Sequence, residues 1–147
     1  MDLHPDWSEF LRLLNSHSVE FLIVGAHALA LHGHPRMTGY LDCFVGAGRE
    51  NVERLFSALV EFGFGQQLPP VEDFQRSHKV LMMGRLPLRI GVLNHIDGVN
   101  FEEAWSRRVI GVLGEVRVAF ISREDLIRNK RASGRIKDQA DVESLES

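Results

Sequence analysis

Residues 24–43, VGAHALALHGHPRMTGYLDC, decide the fold. They complete an apolar run, VEFLIV at 19–24, whose β-branched and aromatic side chains predict a buried strand. Gly25-Ala26 turns the chain directly into a short helix over 26–32, which Gly33 and Pro35 stop. Tyr40-Leu41-Asp42-Cys43 then begins a second apolar strand, over 41–45. Side chains alternate along a strand, so positions 40 and 42 share one face.

On the N-terminal side, Asp6 with Glu9 forms a capping-box pattern, and Phe10, Leu11, Leu13 and Leu14 follow on one helical face. On the C-terminal side, Val52, Leu55, Phe56, Leu59 and Val60 predict a helix over 51–62 with Gly63 as its C-cap. Residues 63–73, with Pro69-Pro70, read as loop. Two strands, 78–83 and 88–93, flank Gly84-Arg85 as a hairpin. Asn100 caps a helix over 101–107. Val109–Leu113 and Val116–Phe120 flank the tight turn Gly114-Glu115. Ser122 with Asp125 caps a helix through Ala132, and a last helix runs from about Lys137 to the end. Helices interleaved with short strands and hairpins predict a mixed sheet covered by helices, an α/β (α+β) fold.

The 147 residues suit one domain, 44 % apolar and 25 % charged, the balance of a soluble globular protein. A net charge of −3 disfavours nucleic-acid binding by the bulk surface. The N-terminus lacks a signal peptide's basic flank and apolar run, and no stretch approaches the roughly 20 apolar residues of a membrane span. The single cysteine, Cys43, excludes an internal disulfide and reads as a small core residue. These features together predict a cytoplasmic chain without a membrane partner.

Three separated motifs resemble small bacterial nucleotidyltransferase-like proteins of the DNA polymerase β superfamily. Some of those proteins are relatives of abortive-infection and toxin–antitoxin components. In the first motif Gly25, His32, Gly33, Arg36, Thr38 and Asp42 match in place. LRIGVLNHIDGVNFEEAWSRR, at 88–108, is similar to their third-acid strand and the helix after it. The tail, at 121–146, resembles their C-terminal element at Leu126, Ile127, Lys130, Arg135, Lys137, Asp138 and Asp141. The resemblance implies a nucleotidyltransferase fold over nearly the whole chain. It also implies an Asp-x-Asp pair and a third acid holding two Mg²⁺ ions about 3.5–4 Å apart, because hard cations take oxygen ligands. The Gly25-Ala26 turn would let backbone N–H groups approach phosphates at a helix start.

Here the sequence departs from the pattern. Tyr40 stands at the first acid position, Gly91 at the third, and Ala26 at the second glycine. A neutral phenol is a poor Mg²⁺ ligand at neutral pH. Asp42 alone implies at most a weakly held Mg²⁺–NTP, and no organic cofactor is expected. An altered metal site would recruit a carboxylate from Asp97, Glu102 or another chain. Arg36 and Thr38 are read either as phosphate or ribose contacts or as loop hydrogen bonds to Asp42. Lys130, Arg135 and Lys137 are read either as a phosphate-facing edge or as partners of Asp138, Asp141 and Glu143. His27, His32 and His34 lack zinc-ligand spacing. Met82-Met83 reads as core and edge packing, and Trp105 as a packing anchor. The functional expectation is a catalytically impaired nucleotidyltransferase-fold protein with residual NTP binding at Gly25, Ala26, Arg36, Thr38, Asp42, Lys130 and Arg135. The alternatives are an active enzyme transferring NMP to RNA, protein or a small molecule, and an interaction module with a protein partner.

Overall fold

In the computed structural model, which describes residues 3–84 and 88–147, the apolar runs become a six-stranded mixed sheet. Helix α1 (Pro5–Ser16) leads into β1 (Phe21–Val24), α2 (Gly25–Leu31), β2 (Tyr40–Val45) and α3 (Arg49–Phe62). A 3-10 turn (Gly65–Gln67) and α4 (Val71–Arg76) precede β3 (Val80–Met83) and β4 (Arg89–Leu93). Then come α5 (Phe101–Ser106), β5 (Val109–Leu113), β6 (Val116–Phe120), α6 (Arg123–Ser133) and α7 (Ile136–Glu146). The strand order is β3-β4-β2-β1-β6-β5. The pairs β2–β4 and β1–β6 are parallel, and the other neighbours are antiparallel. The α/β expectation therefore holds.

The core follows the apolar pattern. Leu11, Leu14, Leu22, Ile23, Leu41, Leu55 and Leu59 are all fully buried. Phe10 of α1 meets Phe62 of α3 edge-on at 5.3 Å. Buried Asn51 ties this layer to the sheet, accepting from the Glu20 N–H (2.7 Å) and donating to the Glu20 and Gly46 carbonyls. Asn100 and Ser122 cap α5 and α6 through the N–H groups of Glu103 and Asp125.

Two local expectations fail. The cap of α1 is His4, whose Nδ1 accepts from the Asp6 N–H, with Pro5 in the first helical position, so Asp6 lies inside the helix. Within 63–73, read as loop, the chain forms the 3-10 turn and starts α4. Pro70 precedes α4 as its N-cap, and Phe74 is its one buried side chain, too little for a periodic signal. Arg85, in the turn of the predicted β3–β4 hairpin, lies outside the described residues; the pairing of those strands is as expected.

Candidate functional site

Asp42 lies on the central strand β2, between Val24 of β1 and Gly91 of β4. The register Asp42↔Gly91 puts the expected third-acid position directly beside Asp42, and Tyr40 falls two residues along on the same face. All three acid positions therefore meet on one patch of the sheet, with a carboxylate only at Asp42. Gly25 fits here for two reasons. Its φ of +70° suits glycine, and a Cβ there would stand 2.6 Å from Asp42 Oδ2. A Cβ at Gly91 would meet Asp42 Oδ1 at 2.9 Å and Met82 Sδ at 3.3 Å.

A cavity of about 620 Å³ opens over this patch, a volume in the range of small-molecule sites. Gly25, Ala26, Arg36, Thr38 and Tyr40 line it together with Lys130, Arg135 and Lys137. Gly98, at φ +74°, lets the turn after β4 sit against α6, where a Cβ would come within 2.5 Å of the Ala132 Cβ. Asn129 fixes the same turn by donating to the Asp97 carbonyl at 2.9 Å. In this way α6 brings Lys130 to the cavity.

The basic edge is internally neutralised. Lys130, 14 % exposed, lies 3.1 Å from Asp138 Oδ1 and 3.2 Å from Asp141 Oδ2. The contact with Asp141 is one of charge, its geometry too poor for a hydrogen bond. Arg36 pairs with Asp141, and Arg135 Nε donates to Asp138 at 3.1 Å. Burial alone would raise the Asp138 carboxyl. Hydrogen bonds from Ser133 and Lys130, with the charges of Lys130 and Arg135, outweigh it and hold the group below the usual carboxylate range. Lys137 lines the cavity without an ion pair among the described residues. Lys130 and Arg135 therefore pair with acids of α7, as the second reading has it, and they also line the cavity. Glu143 takes no part in these pairs. The alternative reading of Arg36 and Thr38, as loop bonds to Asp42, is wrong. Arg36 reaches Asp141, and the Thr38 hydroxyl accepts from the Tyr40 N–H at 3.0 Å.

Among the described residues no group of three His, Cys, Asp or Glu side chains could hold a metal ion, so the donor set does not fit a two-Mg²⁺ centre. Asp97 does line the cavity, but its carboxylate faces His95 Nε2 at 3.5 Å; Glu102 is not in the lining. Burial pushes the Asp42 carboxyl above its usual range, and the charge of Lys130 offsets that only in part. The sign follows. A raised folded pKa means that ionising Asp42 opposes folding as pH rises from the unfolded value through the folded one. Asp42→Asn is therefore expected to raise the thermal midpoint at pH 7 by about 1–3 °C, the scale of a sub-kilocalorie change. The gain should vanish below about pH 4, where the unfolded carboxyl is itself protonated. A midpoint unchanged or lowered at pH 7 would refute it. The neighbouring Cys43 is fully buried, which pushes its thiol far up and keeps it inert.

Sequence reading offered the pairing of Lys130 and Arg135 with Asp138 and Asp141 as one of two alternatives, but missed that Asp141 also takes Arg36, 105 residues away. The available signal was charge spacing, acids three apart on a helix of otherwise weak amphipathicity. The histidines have separate surroundings. His27 meets Trp7 edge-on at 5.4 Å, and His32 Nε2 lies 2.9 Å from the Ile121 carbonyl. Trp105 packs against Phe101 and under Arg108, as an anchor should.

The sheet order, the glycine turn and the acid-bearing central strand define a nucleotidyltransferase fold. The chain belongs to a family described as nucleotidyltransferase of unknown function (DUF6036), whose model matches residues 6–146. A solved structure of the lincosamide antibiotic adenylyltransferase LnuA, bound to lincomycin, is similar in fold. It has a TM-score of 0.54 and 14 % identity, over 99 % of this chain and 98 % of that one. No curated protein matches the sequence. No helix is long and apolar enough to cross a membrane among the described residues.

Proposed function

We propose that this protein binds a nucleoside triphosphate in the cavity beside Asp42 and transfers NMP from it poorly or not at all. The observation that carries this reading is the Asp42↔Gly91 register. The position best placed to complete a metal cage has no side chain, and Tyr40 supplies a phenol at the other. Arg36, Lys130, Arg135 and Lys137 provide donors suited to phosphate oxygens, and Gly25 and Ala26 leave room close to the backbone. Thr38 takes the ribose side of the same mouth. Mg²⁺ accompanies the phosphates only as a weakly held ion at Asp42, and no organic cofactor is needed.

Activity is the rival reading, favoured by the full-length likeness to an adenylyltransferase solved with a small molecule bound. In that reading the acceptor is RNA, protein or a small molecule, and Asp97 moves to join Asp42. An interaction module, such as one half of a toxin–antitoxin-like pair, is the third.

Thermal-shift titration with the four NTPs, with and without Mg²⁺, separates them. Binding at tenfold over Kd is expected to raise the midpoint by about 3–5 °C. Labelled NTP incubated with candidate acceptors should leave no transferred NMP. Transfer by the wild-type chain that Asp42→Ala abolishes would overturn impairment. A midpoint indifferent to every NTP would overturn binding and favour the interaction role.

A further inference from the structure

The sheet ends in an edge strand that is apolar along its whole length. Strand β5, VIGVL, contains no charge, no proline and no bulge, the devices that usually protect an open edge. Val109, Ile110 and Val112 are 39, 49 and 62 % exposed, and Leu31 of α2 adds apolar surface beside them. Gly114 at φ +63° starts the two-residue turn to β6, which makes Leu113↔Val116 the closing hydrogen-bonded pair. Antiparallel alternation then turns the N–H and C=O groups of Val109 and Gly111 into the sheet. Those of Ile110 and Val112 point to the free edge.

The geometry points to a second copy of this chain as the occupant, its β5 antiparallel to the first about a twofold axis at Gly111. Ile110 of each copy then faces Val112 of the other in a hydrogen-bonded pair, which covers the two most exposed side chains of the strand. Gly111 meets Gly111 on the other face, where the strands come closest and no side chain intervenes. Charge selects this partner and direction. Arg107 and Arg108 precede the strand and Glu115 follows it, so antiparallel pairing brings the basic end of each copy to the acidic end of the other. Asp125 already engages the charge of Arg107 through two hydrogen bonds, which leaves Arg108 as the cation that has no carboxylate partner among the described residues. Arg108 is held ready, its guanidinium 4.1 Å above the Trp105 ring and bonded to the Trp105 carbonyl at 2.8 Å. Glu115 is exposed and has no ion pair among the described residues. A parallel neighbour would set like charges against each other. The result is one continuous sheet through both copies, with β3 at its outer edges.

Sedimentation equilibrium of the full chain across a dilution series tests this. The expected mass rises from 16.6 kDa to twice that value and stops there. Val112→Lys and, as a second edge variant, Ile110→Lys are each expected to weaken the dimer at least tenfold while leaving the far-UV circular dichroism of the monomer unchanged. Arg108→Glu and Glu115→Arg should each weaken it up to about tenfold, from two exposed pairs per dimer, and the double exchange should restore it. A monomer at every concentration overturns the proposal, and so does growth beyond a dimer. A dimer untouched by both edge variants, or a double exchange no better than the single ones, does the same.

Discussion

A chain carrying Tyr40→Asp and Gly91→Asp together is expected to gain a Mg²⁺-dependent rise in thermal midpoint of about 5–10 °C at a hundredfold excess over Kd, against almost none for the wild type. The expectation rests on register. Position 40 lies two residues from Asp42 on the same face, and position 91 is its direct partner across the β2–β4 ladder. Tyr40 is 45 % exposed at the cavity mouth, so a smaller acid enters without crowding. The Cβ added at position 91 meets Asp42 Oδ1 and Met82 Sδ, both ends of rotatable side chains that can turn away. Three carboxylates on one patch repel one another without metal, so the variant should be less stable than the wild type until a divalent cation is added. Each single substitution should recover only a small part of the effect, since one added acid still leaves the cage incomplete. Metal titration needs no knowledge of the acceptor, which makes it a cleaner readout than turnover. If the double variant folds and its midpoint ignores Mg²⁺ and Mn²⁺, loss of the two acids does not explain the site. Labelled-NMP transfer by the same variant, at least about 100-fold above wild type, would extend the result from binding to chemistry.

The sequence was most legible where structure is local. The β5–β6 hairpin, the Asn100 and Ser122 caps and the run from Gly25 to Asp42 each depend on neighbours a few residues apart, and each formed as expected. The third-acid position was located through the resemblance of residues 88–108 to the family's third-acid strand, although the acid itself is absent. Long-range electrostatics left no comparable trace. Nothing near Arg36 in the chain announces Asp141, and nothing in α6 chooses between a phosphate-facing Lys130 and one that sits between two acids of α7. An ion pair of this kind is a property of the packed fold. The α1 cap failed for a different reason. Asp6–Glu9 satisfies the capping-box pattern, but Pro5 is well suited to the first helical turn and shifts the start by two residues, so His4 takes the cap.

Lys130→Met is expected to be the most destabilising single change at the site, costing about 3–5 kcal/mol, because it strands buried carboxylates instead of removing a whole neutral cluster. Asp138 and Asp141 are each 5 % exposed, and Lys130 is the cation they share. Arg36 and Arg135 remain, one on each acid, but both reach in from the solvent side and neither bridges the two. The pH dependence identifies the mechanism. The folded pKa of Asp138 is depressed, so its contribution to stability is present above the unfolded value near 3.9 and is lost as pH falls through the folded value. The stability gap between wild type and Lys130→Met should therefore be widest near pH 7 and close on acidification below about pH 4. Adding Asp138→Asn and Asp141→Asn to Lys130→Met removes the stranded charges and should recover most of the loss, even though three charged groups are gone. Denaturant unfolding at several pH values measures both effects. A gap independent of pH, or a triple variant no more stable than the single one, would mean that Lys130 acts through the packing of its aliphatic stem. The NTP response of the triple variant, measured against its own midpoint, then reports on phosphate binding with the stability defect removed. If Lys130 both braces α7 and meets phosphate, that variant regains its fold and still loses most of the nucleotide shift.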